Sequence, residues 1–346
     1  MSRTPDVATA LAKGPFRAPS SANAGGYDVL AETLRDLRLS GSVFMDARFS
    51  SPFSVVSPDR FDPGTAMAHL RHVSVFHLVA SGSCEFETSR GERRTVTSGD
   101  ALLLPFAAAH TFWSGKAHET AFAPDIVRPG RLPGVLTINH GGGGEEMRMV
   151  CGFIESREFL HAPVFRSLPD LLVHRSADGE VGATITATVR EILNMVEAAM
   201  PGSEFMLGRL MELLFVEVVR SFAASLPSNA TGWFAALHAP IVGRALQAMH
   251  ERPSQRWTVD ELAREVATSR TVLTERFNAL LGQSPIEYLT SWRMQLASER
   301  LRNSTSSIAS IATDVGYESE AAFNRAFKRV MGVTPGVLRE NRPLAA

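Results

Sequence analysis

Cysteine is nearly absent from this chain: 346 residues hold two, Cys84 and Cys151, far apart and in no metal-ligand spacing. That scarcity argues against a disulfide-stapled scaffold and a cysteine-based zinc module, and it predicts reduced, buried thiols in a cytoplasmic protein. No uninterrupted apolar run approaches the roughly 18 residues a membrane span needs, so no membrane partner is expected. The first residues lack a basic patch followed by an apolar stretch and a small-residue cleavage site, so export is not expected either. Net charge is also scarce, at -1 overall. It conceals an asymmetry: from Thr231 onward there are 14 Lys and Arg against 11 Asp and Glu, and before it 21 against 25. A mildly basic end suits contact with phosphates, although three charges alone decide nothing.

What is present divides the chain into stretches of different periodicity. Residues 1–26 are rich in Ala, Ser, Pro and Gly and read as a disordered tail. Tyr27 to Leu39 has the spacing of a short helix. From Ser42 to about Ile154 short apolar runs are separated by turn signals, with strands expected over Val73–Val79, Cys84–Thr88, Arg94–Val96, Ala101–Leu104 and Thr111–Trp113. Many short strands with Gly turns predict a barrel or jelly roll. Gly141–Gly144 lacks the Lys-Ser/Thr of a phosphate loop and reads as a flexible loop. After Leu168-Pro169 the pattern becomes helical. One helix is expected over Val181–Ala199. A second, capped by Ser203, carries Phe205, Met206, Leu210, Leu213, Leu214, Val218 and Phe222 on a wide apolar face. This hairpin, over 171–228, either packs on the β domain or joins two chains in a homodimer.

The most informative feature is an internal repeat. Ser269 and Ser319, Phe277 and Phe327, Gly282 and Gly332, and Pro285 and Pro335 are each 50 residues apart, whereas Ala263 and Ala312 are separated by 49. Each copy reads as a helix-turn-helix, the first over about 258–282 and the second over about 307–332. Thr258 and Glu261 form a capping-box pattern, Ser269 caps the second helix of the first unit, and Gly282 ends it. Leu262, Val266, Leu273 and Phe277 then face inward, with Ile311, Val315, Phe323 and Phe327 as their counterparts. Ile286, Leu289, Trp292, Leu296 and Leu301 predict a connecting helix over about 286–302. Such a rod can hold two recognition helices about one DNA turn, near 34 Å, apart.

Residues from about Trp233 to Arg342 resemble the DNA-binding domain of the AraC/XylS family of transcription regulators. The resemblance rests on Leu262-Ala263, Phe277, Gly282-Gln283-Ser284-Pro285, Arg293, Ala297, Ile308, Ile311-Ala312, Gly316-Tyr317, Phe323, Phe327-Lys328-Arg329, Gly332 and Pro335. It implies a domain over 231–342 whose partner is double-stranded DNA. Its groove-facing positions would be Arg270, Thr271, Thr274 and Glu275, then Glu320, Ala321, Asn324 and Arg325. Chemistry adds roles: Arg325 to guanine, Asn324 to adenine, Glu275 or Glu320 to cytosine. The alternatives are an Arg325–Glu320 pair within one helix and plain solvation of Glu275. Lys328, Arg329 and Arg293 are expected beside phosphates, positioning the protein without reading sequence.

Upstream, Phe76-His77-Leu78-Val79, Gly82, Gly99-Asp100, Pro105 and His110 resemble the cupin-type sensor that precedes such domains, here over 27–170. The fold class expected is therefore α+β in two domains: a cupin-like β-barrel with a helical hairpin, then an all-α double helix-turn-helix. A metal-dependent cupin enzyme carrying a DNA-binding appendage is the alternative. It meets an obstacle, because the first metal motif lacks its His pair and Glu85 is too far along. No cofactor or catalytic residue is therefore expected. A ligand-independent DNA architectural protein is a further alternative. The sensing reading places a small effector in a barrel interior lined by His77, His110, Phe112 and Trp113, and RNA polymerase becomes a partner where the output is activation.

Overall fold

A computed structural model of the chain describes residues 29–31, 33–34, 39–58, 73–116, 119–156, 163–175, 182–227 and 229–340. The tail expected over 1–26 lies outside these residues, as does much of the helix expected over Tyr27–Leu39.

Strands that are apolar at nearly every position predict a sheet covered on both faces. Strand β3 (Val73–Ser81) meets that description, being buried from Val73 to Val79. It sits near the middle of a seven-stranded sheet with β1 (Ser40–Ser50), β6 (Ala101–Leu104), β9 (Arg128–Pro129), β10 (Leu136–Gly141), β11 (Glu146–Glu155) and β12 (Leu172–His174), in the order β12-β6-β3-β11-β1-β10-β9. A second sheet of five strands runs β5-β4-β7-β2-β8, from β2 (Phe53–Ser57), β4 (Ser83–Thr88), β5 (Arg93–Thr97), β7 (His110–Ser114) and β8 (Ala121–Phe122). The five strands expected from sequence are all present, each within two residues of its limits. The closed barrel is not. These are two open sheets, because β12 and β9, and β5 and β8, end their sheets without pairing to one another.

Period-two alternation sorts side chains between two cores. Val79, Leu102, Leu104, Met149 and Cys151 point between the sheets, where they meet Phe53, Phe86 and Phe112. Phe76, Leu78, Leu103, Val150 and Ile154 point the other way, towards helices. The bulge between Val43 and Met45 lets β1 change sides, so that Val43 joins the helical core while Ala47 and Phe49 join the inter-sheet core.

Two short helices, α1 (Ala123–Ile126) and α2 (Pro163–Arg166), precede the expected hairpin of α3 (Ala183–Ala198) and α4 (Ser203–Ser225). Gly202, at φ 82°, takes the N-cap of α4 in place of Ser203, whose hydroxyl donates to Met200 O at 2.6 Å. Helix α4 lies directly on β1, where a Cβ on Gly41 would stand 2.4 Å from Gly208 O. Its single expected apolar face splits in two. Leu214 and Val218, with Met211 and Phe215, turn to the sheet, whereas Phe205, Met206 and Leu213 stay 66%, 53% and 44% exposed.

The remaining helices are α5 (Trp233–His238), α6 (Pro240–Glu251), α7 (Val259–Glu265), α8 (Arg270–Leu281), α9 (Pro285–Asn303), α10 (Ile308–Asp314), α11 (Glu320–Met331) and α12 (Pro335–Glu340). The boundary expected near residue 231 does not separate two cores. Phe222 of α4 meets Phe234 of α5 with ring centroids 5.4 Å apart, and one apolar cluster continues from Phe76 and Phe215 through Trp233 to Leu262, Phe277 and Trp292. The second helix-turn-helix has a core of its own, made of Met294, Leu301, Ile311, Phe323 and Phe327.

Candidate functional site

The two repeat copies fold alike because each polar residue at a helix start satisfies an otherwise orphaned backbone N–H. Thr258 Oγ1 accepts from Glu261 N at 3.1 Å while Glu261 accepts from Thr258 N at 2.7 Å, completing the expected capping box. Ser269 and Ser319 cap α8 and α11 in the same way, and Gly282 and Gly332 end them at φ 66° and 74°. A second capping box, between Ser284 and Glu287, starts the connecting helix and was not anticipated. In both turns an amide reaches back to the small alanine, Thr268 N to Ala263 O at 2.9 Å and Tyr317 N to Ala312 O at 2.8 Å. The second turn then carries its one extra residue, Glu318.

Helices α8 and α11 present Arg270, Thr271, Glu275, Glu320, Ala321, Arg325 and Lys328 exposed on their surfaces, with Thr274 and Asn324 half-buried. Several have internal contacts: Arg270 pairs with Asp260 at 3.3 Å, and Thr274 Oγ1 donates to Arg270 O at 2.9 Å. Asn324 has its Oδ1 buried without a partner. Among the described residues no Arg325–Glu320 ion pair forms.

Arg293, expected beside phosphate, makes three internal bonds. Its guanidinium turns inward, Nε donating to Pro253 O at 2.7 Å, one terminal nitrogen to Gln255 O at 2.7 Å and the other to Gly316 O at 3.4 Å. All three edges of the fork thus face backbone carbonyls, and the side chain ties the approach to the first unit to the turn of the second. Sequence reading also missed a buried polar link at the base of the first unit. Trp233 Nε1 donates to Tyr288 Oη at 2.9 Å, and the Tyr288 hydroxyl lies 2.8 Å from His250 Nε2. Burial lowers the His250 pKa to about 3, so the imidazole is neutral and shares a hydrogen bond with that hydroxyl. No periodicity distinguishes these residues from ordinary core.

The other candidate site lies between the two sheets, a cavity of about 280 Å³ whose wall includes Phe44, Phe49, His77, His110, Phe112 and Cys151. Cross-strand register places His77 opposite Cys151, and His77 Nδ1 lies 3.1 Å from Cys151 Sγ. His110, the first residue of β7, has its ring centroid 4.7 Å from that of His77. Burial holds both imidazoles neutral, lowering His110 to about 4 and His77 well below its ordinary value. Trp113 does not belong to this wall. Three positions beyond His110 on the same strand it faces the opposite side, where Arg93 sits 5.8 Å over its ring. Among the described residues no three His, Cys, Asp or Glu side chains are grouped to hold a metal. Two imidazoles with no carboxylate beside them in the described wall do not fit the metal centre of a catalytic cupin.

The family profile described as Cupin matches residues 28–224, and one described as Helix-turn-helix domain matches 262–341. The chain is 33% identical over 267 residues to a protein of Streptomyces lividans assigned as an AraC-like transcription regulator, covering 77% of this chain and 86% of that relative. A protein of Streptomyces antibioticus with the same assignment is 33% identical over 277 residues, with the same coverage. The chain belongs to the AraC-like transcription regulators. A further relative, the regulator AlkR of Acinetobacter baylyi, is 28% identical over 77% of this chain and 87% of its own length. These relatives are named as regulators, and nothing in them supports the enzymatic alternative. This AraC-like regulator therefore joins a cupin domain to a helix-turn-helix domain whose type implies DNA as its partner. No described helix is long and apolar enough to cross a membrane.

Proposed function

We propose that this regulator reads operator DNA with α8 and α11 and that a small effector in the inter-sheet cavity biases how it does so. The observation that carries this reading is the continuous apolar core running from the sheet beside the cavity to the first helix-turn-helix. A link of this kind lets occupancy of the cavity favour one arrangement of the DNA-binding helices over another, which is the differential affinity that any effector requires. Polar contacts follow the same route: Trp233 N donates to Ser167 Oγ at 3.3 Å, and Trp233 in turn holds Tyr288.

Base contact is assigned to Arg270, Thr271, Thr274, Glu275, Glu320, Ala321, Asn324 and Arg325, and phosphate contact to Lys328. Arg325 is the sharpest case, since it is exposed and commits its charge to no carboxylate among the described residues. Footprinting across the genome recovers the operators, and Arg325→Ala is then measured on an operator and on scrambled DNA. The expected loss on the operator is about 1–3 kcal/mol, with little change on scrambled sequence. Equal weakening on both would reject base readout by Arg325.

The outward face of α4 supports a homodimer. Phe205, Met206 and Leu213 form an apolar stripe beside Arg209 and Glu217, so two antiparallel copies crossing at Leu213 would bring Arg209 of each opposite Glu217 of the other. Leu213→Glu is expected to convert dimer to monomer in sedimentation velocity without lowering the melting temperature of the monomer. A dimer that persists would place the interface elsewhere. Activation through RNA polymerase, if that is the output, would draw on a surface outside the two recognition helices.

A further inference from the structure

The cavity between the sheets carries more information than its presence. Among the described residues its wall holds no Lys, Arg, Asp or Glu. Its hydrogen-bonding side chains are Ser57, His77, His110 and Cys151, against a surround of Phe, Met, Val, Leu and Ile. With both histidines neutral, an anion entering the described wall would lose its hydration and meet no countercharge there, which favours a neutral occupant over a carboxylate or phosphate. A sugar would leave most of its hydroxyls unpartnered.

The two imidazoles are not satisfied by the protein. His77 Nε2 and His110 Nε2 are both buried without a hydrogen-bond partner. Buried polar atoms in that condition are uncommon and call for an occupant. Their protonation follows from what holds the other ring nitrogen. His110 Nδ1 faces Ala108 O at 2.8 Å, and a carbonyl only accepts, so Nδ1 carries the proton and Nε2 is a bare acceptor. His77 Nδ1 faces the Cys151 thiol, which burial keeps protonated. A thiol can give or take a hydrogen bond; with its S–H given to Nδ1, the proton of His77 sits on Nε2 as a donor. In that arrangement one ring offers a donor and the other, its centroid 4.7 Å away, an acceptor, a pair that a hydroxyl matches with one atom.

We propose that the effector is a neutral, compact, mostly hydrocarbon molecule with one hydroxyl, which donates to His110 Nε2 and accepts from His77 Nε2. The inference rests on the cavity being the effector site. Phe44, Phe49 and Phe112 favour an aromatic body, so the class is a substituted phenol.

The test is titration calorimetry on the full-length protein with four probes sharing one skeleton: 4-propylphenol, its methyl ether, 4-propylbenzoate and propylbenzene. The phenol is expected to bind at least about ten-fold more tightly than the ether or the hydrocarbon, the worth of one well-placed buried hydrogen bond. The benzoate is expected not to bind. His110→Phe, which keeps an aromatic ring but removes the acceptor, is expected to erase the difference between phenol and ether. Because the comparison among probes uses the unaltered chain, it stands even where the variant does not fold. Equal binding of propylbenzene and phenol would overturn the hydroxyl assignment while leaving an effector cavity in place. Binding of the benzoate as tight as that of the phenol would overturn the neutral class. If none of the four binds, the phenol assignment falls while the effector reading of the cavity stands.

Discussion

Replacing Phe327 with alanine is expected to unfold the second helix-turn-helix and leave the first intact. Phe327 is fully buried, and its ring centroid lies 5.5 Å from that of Phe323 in a core that includes Ile311, Leu301 and Met294. Truncating a buried phenylalanine costs about 3–5 kcal/mol, which a core of this size has little reserve to absorb. The first unit draws instead on the larger cluster that continues into the sensor. Hydrogen exchange of the variant should show protection lost across α10 to α12 and retained in α7, α8 and the sheets. Loss spread evenly over the chain would mean that the two units fold as one. Binding to operator DNA should fall to the level of a single recognition helix.

Arg293→Ala is expected to abolish tight operator binding while both recognition helices remain folded. The guanidinium donates to Pro253 O, Gln255 O and Gly316 O, joining the two units at one point, although Gln255 O also accepts from Trp257 N at 2.8 Å. Hydrogen bonds from a charged donor are worth about 1.5–3 kcal/mol each in favourable settings. Arg293 is half-buried, so a total of roughly 2–3 kcal/mol is the expected loss in urea unfolding. Lysine cannot replace the three-edged fork, and Arg293→Lys is expected to behave like alanine. Gly316→Ala approaches the same joint from the other side: Gly316 stands at φ +84°, and an added Cβ would be 2.7 Å from an Arg293 terminal nitrogen and from Ser254 O. Weaker DNA binding with unchanged urea stability would point instead to the phosphate contact that the sequence suggested for Arg293.

The helical half was the more legible part, and the reason is local. Capping, turn and core residues of a helix-turn-helix lie within about 25 residues of one another, so the 50-residue offset between Ser269 and Ser319 or Phe277 and Phe327 carried nearly all of the unit's geometry. Strands β3 to β7 were visible for a similar reason, since alternation and glycine turns are nearest-neighbour signals. Pairing was not visible. Strand β1 lies between β10 and β11, about a hundred residues away, and nothing in Ser40–Ser50 announces those partners or the open sheets they build. Face was equally hidden: His110 and Phe112 point into the cavity and Trp113 away from it, a distinction that shifts with one residue of register. The internal bonds of Arg293 were hidden because a clamp between backbone carbonyls and a phosphate contact call for the same side chain. On α4 the apolar count was right, but sequence does not say that Leu214 faces a sheet while Leu213 faces solvent.

The continuous core through Phe222, Phe234, Trp233 and Phe277 bears on how such proteins diversify by exchange of parts. A cut inside α9 between Trp292 and Met294 crosses a single helix and keeps Met294 and Leu301 with the core of the second unit, so that, the Arg293 bonds apart, the second reader can be traded between relatives with few compensating changes. A cut near Gly232 opens the interior and leaves Trp233 and Phe234 facing water. Recombination that brings a new sensor must therefore bring the first reader with it, or rebuild the joint. On this packing the cupin domain and first reader would travel as one module, leaving the second reader as the piece open to exchange.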